Sequence, residues 1–124
     1  MSRNHFYTAQ GAGYAMVVRF FSGNNAETKE TLAALQRVYE DNSDLVVVAV
    51  SRDASPGATR QVVDELGLHY PVIIDEGGQI SKQYQVTETP ATFVITTHGT
   101  VSWVGGARAT EDAISAAVHV ARRD

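Results

Sequence analysis

Two runs of the chain, Tyr14 to Phe21 and Leu45 to Ser51, are almost wholly apolar and no longer than a strand. A run of that kind has no wet face, so it reads as a strand covered on both sides. Between them, Leu32, Leu35, Val38 and Tyr39 recur at three- and four-residue spacing, which predicts a helix from about Asn25 to Glu40. Asn24 is a good N-cap for it, because Glu27 follows three residues later as in a capping box. Strand, helix and strand around a doubly buried sheet define an α/β fold whose first strands run parallel.

The rest of the chain continues the alternation. Ser55-Pro56 opens a second helix, with Val62, Val63 and Leu66 as its buried side, and Gly67 closes it. Pro71 to Ile74 reads as a short strand, Asp75 to Gly78 as a turn, and Gln79 to Tyr84 as a short helix. Ala91 to Thr97 and Thr100 to Val104 read as strands joined across His98-Gly99, an antiparallel hairpin. Thr110 caps a last helix with Glu111 and Asp112 in its first turn and Arg122 and Arg123 in its last, an order that suits the helix dipole. The predicted order is β-α-β-α-β-α-β-β-α. Residues 1–13 are polar, carry Gly11 and Gly13, and read as a loosely held lead-in with Phe6 to Thr8 a candidate edge strand. Residues 14–124 form one domain.

Composition narrows the function. At 124 residues the chain buries roughly two-thirds of its unfolded surface, enough to fold without a staple. A net charge of −4 gives no reason to expect nucleic acid or an anionic membrane as partner. No apolar run approaches the length of a membrane span, so no membrane insertion is expected. The start lacks the apolar stretch of a secretory signal. The sequence leaves the compartment open: the cytoplasm if the chain is complete as given, outside it if a signal or anchor was trimmed. The absence of cysteine excludes disulfides, thiolate metal sites and thiol nucleophiles together.

Three local sequences in this order resemble the thioredoxin-like redoxins of the TlpA/ResA type, which are AhpC/TSA-related. Val17-Val18-Arg19-Phe20-Phe21, with a polar loop and a long helix after it, is similar to the family's first strand and dithiol helix. Val48-Ala49-Val50-Ser51, a helix, and Gly67-Leu68-His69-Tyr70-Pro71-Val72-Ile73-Ile74-Asp75 resemble its central insertion. Val86-Thr87-Glu88-Thr89-Pro90-Ala91-Thr92-Phe93-Val94-Ile95 is similar to the segment that holds the family's cis-proline. The resemblance covers about residues 14–120. It implies a thioredoxin-like three-layer α/β/α fold, with a mixed five-stranded sheet, a C-terminal antiparallel hairpin and a cis-proline loop.

In that family two thiols sit at the amino end of the first long helix, where the helix dipole and free N–H groups favour the thiolate. The resemblance puts those positions at Asn25 and Thr28. Asn25 has no ionisable proton, and the Thr28 hydroxyl would need an adjacent base that His5, His69, His98 and His119 do not supply locally. Asn24 stands where the family carries tryptophan, and Ala54 where ResA-like members carry an acid, with Asp53 beside it. A laboratory removal of cysteine usually leaves Ser or Ala. Here the loop has diverged as well, which points to a natural cysteine-free member.

Asn24, Asn25 and Thr28 read first as plain capping residues and second as ligand contacts. Pro90 can equally be retained for the turn alone, although a cis bond at Thr89-Pro90 would expose the Thr89 backbone for strand addition. Asp53, Asp75 and Glu76 match no metal-ligand spacing and read as solvated loop charges. Arg19, odd within an apolar strand, reads as paired or at a sheet edge. Trp103 reads as packed or at the sheet rim. No cofactor and no metal are expected. The expected function is a redox-inactive module that binds a peptide or protein segment through Asn24, Asn25, Thr28, Thr89 and Pro90. Two alternatives stand beside it: an oxidoreductase scaffold whose cysteines were lost or removed, and a purely structural or oligomerising domain.

Overall fold

The computed structural model describes residues 13–23, 26–52, 56–106 and 109–122. Asn24, Asn25, Asp53, Ala54 and Ser55, and the candidate edge strand at Phe6 to Thr8, lie outside the described residues. The elements are β1 (Ala15–Phe21), α1 (Ala26–Asp41), β2 (Leu45–Ser51), α2 (Pro56–Leu66), β3 (Val72–Ile74), a 3₁₀ turn (Glu76–Gly78), α3 (Gln79–Gln83), β4 (Ala91–Ile95), β5 (Val101–Gly105) and α4 (Glu111–Ala121).

The strands form one five-stranded sheet in the order β3-β2-β1-β4-β5. β1 pairs parallel with β2, and β2 with β3; β4 lies antiparallel to both β1 and β5. This places β1 at the centre with all seven residues buried, as its continuous apolar character demands. Alternate residues serve opposite faces. Ala15, Val17 and Phe21 meet Leu32, Leu35 and Val38 of α1, and Ile114, Ala117, Val118 and Ala121 of α4 belong to the same cluster. Met16, Val18 and Phe20 form the opposite core with Val48, Val50, Phe93 and Ile95, and Ile80 of α3 packs against it. There Phe20, Tyr84 and Phe93 meet edge to face, with ring centroids 4.9–5.8 Å apart.

Local chemistry sets the element ends. Gly67 takes a left-handed φ of 61°, and the Leu68 N–H donates back to the Val63 carbonyl at 3.2 Å, which terminates α2. β4 stops at Ile95, short of the expected Thr97, because Thr96 Oγ1 accepts from the N–H groups of His98 and Thr100, each at 3.2 Å, and turns the chain. Thr110 Oγ1 accepts from the Ala113 N–H at 3.1 Å and caps α4.

Asp75 corrects the expectation of a solvated loop charge. It is 6% exposed and accepts from the Ile80 N–H, the Ser81 N–H and the Ser81 hydroxyl at 2.6–2.9 Å, fixing the start of α3. Burial opposes its charge, but the Ser81 and Ile80 hydrogen bonds, with the nearby charge of Arg52, leave its pKa below the usual carboxylate value. Among the described residues, no helix is long and apolar enough to cross a membrane.

Candidate functional site

The end of β1, the first turns of α1 and the loop before β4 converge because β1 pairs with β4 up to Phe20–Ala91. That register carries Ser22 and Thr89, just beyond the paired segment, into contact: their hydroxyl oxygens lie 2.6 Å apart. The Thr28 hydroxyl donates to the Ser22 carbonyl at 3.1 Å, and the Thr31 hydroxyl donates to the Thr28 carbonyl at 2.9 Å. The result is a cleft of about 190 Å³ walled by Ser22, Glu27, Thr28, Thr31, Thr89 and Pro90, with Phe21 completing the wall.

Of the candidate residues, Thr28, Thr89 and Pro90 are brought together. The Thr89–Pro90 peptide is cis. Neither the N–H nor the carbonyl of Thr89 makes a backbone hydrogen bond among the described residues. Sequence reasoning missed Ser22, Glu27 and Thr31 as cleft walls. Thr31 was within reach of it, since residues three apart on a helix share a face. Ser22 was not, since its role depends on the strand register.

Arg19 does not line this cleft but is bonded to the carbonyl of Thr31, which does. β1 is the central strand, so the residue is not at a sheet edge, and it is 1% exposed. Its Nε donates to Thr92 Oγ1 and its Nη1 to the Thr31 carbonyl, both at 2.9 Å. These partners are neutral, and among the described residues the ion pairs are Lys29–Glu65 and Arg37–Glu111. Burial pushes the Arg19 pKa down and the Tyr70 phenol up. Tyr70 itself donates to the Leu32 carbonyl at 2.8 Å, tying the approach to β3 onto α1.

The chemistry the cleft offers is that of hydroxyls, an exposed carboxylate and backbone at the start of a helix. A mixed five-stranded sheet with β1 at its centre and helices on both faces defines a thioredoxin-like domain, here without cysteine. The chain belongs to the AhpC/TSA family, whose model matches residues 3–104. It is 36% identical over 55 residues to the thiol-disulfide oxidoreductase ResA of Bacillus thuringiensis and to that of Bacillus cereus. That match covers 44% of this chain and 32% of each ResA, so the aligned stretch spans about a third of those relatives.

Solved structures extend the fold likeness over nearly the whole chain. A secreted Mycobacterium tuberculosis disulfide oxidoreductase homologous to DsbE of E. coli superposes with a TM-score of 0.79 at 22% identity, over 90% of this chain and 85% of that one. DsbF of M. tuberculosis gives 0.83 at 18% identity, over 91% and 84%. StoA of Bacillus subtilis gives 0.74 at 16%, over 86% and 83%.

Proposed function

We propose that this chain is a redox-inactive thioredoxin-fold module that binds an extended peptide or protein segment across the cleft between the start of α1 and the Thr89–Pro90 loop. The observation that carries this reading is the Thr89 backbone, which makes no backbone hydrogen bond among the described residues, beside an open cleft. An extended segment lying there gains two main-chain hydrogen bonds without displacing any existing backbone bond, which is recognition by strand addition. With no cysteine in the sequence, no thiolate is available to attack a disulfide, so the segment is held and released unchanged.

The 55-residue likeness to ResA favours a second reading, a thiol-disulfide oxidoreductase scaffold that has lost its thiols and with them any ligand. Selection of binders from a random peptide library separates the two. The binding reading expects peptides that compete with one another and lose affinity when Thr89→Pro removes the backbone N–H, while thermal stability stays close to that of the parent. A failure to select any binder, or binders indifferent to Thr89→Pro, would overturn it. In either reading insulin disulfides are not reduced above a blank.

A further inference from the structure

Among the described residues that wall the cleft beside the Thr89–Pro90 loop, Glu27 is the one charged side chain. α1 begins at Ala26, so Glu27 stands in its first turn, and it is exposed. The start of a helix carries about half a positive charge, which suits a carboxylate there but supplies no counter-ion. The helix supplies none either. The positions three and four residues on, which share its face, are Glu30 and Thr31. Lys29 is turned to α2 instead, with its Nζ 3.0 Å from the Glu65 carboxylate. Among the described residues Glu27 makes no ion pair.

The loop across the cleft repeats the sign. Glu88 directly precedes Thr89, is exposed, and makes no ion pair among the described residues. The net charge of the whole chain is −4, which favours encounter with a cationic partner.

We propose that this cleft selects extended segments that carry a lysine or arginine, with Glu27 as the residue that sets the preference. The proposal rests on the peptide-binding reading and adds the partner's chemistry to it. Main-chain bonds to Thr89 are common to any extended segment, so discrimination falls to what the side chains meet. An extended segment turns every second side chain the same way. A lysine or arginine turned to the start of α1 meets an acid that has no other partner, and its apolar stem can lie on Pro90 in the same cleft. An acidic segment meets like charge instead and is rejected.

The test joins peptide selection to a double-mutant cycle. Peptides selected on the whole chain from a random library should be enriched in lysine and arginine and depleted in aspartate and glutamate. For one such peptide, Glu27→Gln in the protein and glutamine in place of the peptide's basic residue should each weaken binding about two- to fivefold, the range of an exposed ion pair. Together they should cost no more than either alone. Asp64→Asn removes the same charge from α2, outside the cleft, and should leave the affinity unchanged. Binders that need the Thr89 amide but show no basic preference, or are indifferent to Glu27→Gln, would overturn this proposal and leave peptide binding standing. An equal loss in Asp64→Asn would also overturn it, since net charge alone would then account for the preference. Failure to select any binder would overturn both.

Discussion

Ser22 and Thr89, 67 positions apart in the chain, bring their hydroxyl oxygens to 2.6 Å at the mouth of the cleft. The contact ties the Thr89–Pro90 loop to the end of β1 beside the cleft. Because the pair is exposed, water replaces either hydroxyl at little cost. Thr89→Val should therefore change the urea unfolding free energy by less than about 1 kcal/mol, yet weaken peptide binding by loosening the loop. Parallel unfolding and binding curves check this.

Asp75 should make the fold sensitive to acid. Its folded pKa lies below the unfolded value, so the native state binds fewer protons near pH 4. Its contribution is complete above the unfolded pKa of about 3.9 and is lost as pH falls through the lower, folded value. Asp75→Asn should cost about 1–3 kcal/mol at neutral pH, since one oxygen no longer accepts. The difference from the parent should shrink below about pH 4. A difference that persists unchanged into acid would contradict this.

Gly105 is required by its neighbour. A β-carbon there would collide with the Trp103 ring and stand 2.9 Å from the Ala109 β-carbon. Gly105→Ala should destabilise by about 1–3 kcal/mol, as overpacking does, and shift the Trp103 fluorescence as the ring is displaced. Trp103 is the chain's one tryptophan, so the signal is unambiguous.

These particulars mark what was legible in the sequence. The apolar runs at β1 and β2, the Gly67 stop and the Thr110 cap are local signals, and the element order followed from them. Asp75 was misread because its partners, Ile80 and Ser81, acquire meaning only once α3 folds back over it. Arg19, read as paired or at an edge, is paired with Thr92 and the Thr31 carbonyl and is not at an edge, because β1 is central. For the candidate site, Thr28, Thr89 and Pro90 came from likeness to a family, while Ser22 depended on how β1 and β4 register.

The positions assigned to the family's thiols make a further prediction. Asn25→Cys with Thr28→Cys should form an intramolecular disulfide under mild oxidation if the two positions face each other across the start of α1 within the roughly 7 Å between α-carbons that a disulfide permits. Mass spectrometry reads the loss of hydrogen. The amino-terminal thiol should then titrate, in alkylation rate, below the unperturbed value of about 8.5. A thiol with a raised pKa would show that the loop is placed differently from the family's.

The central claim is that the cleft at Ser22, Thr28 and Thr89 holds an extended segment by its backbone. The most direct measurement is a map of backbone amide shifts on titrating the chain with a library-selected peptide. The account predicts saturable changes concentrated at Ser22, Thr28, Thr89 and Ala91, with the Thr89 amide shifting downfield as it gains an acceptor. Changes confined to the β5 edge, or to residues remote from both the first turns of α1 and the Thr89–Pro90 loop, would contradict it.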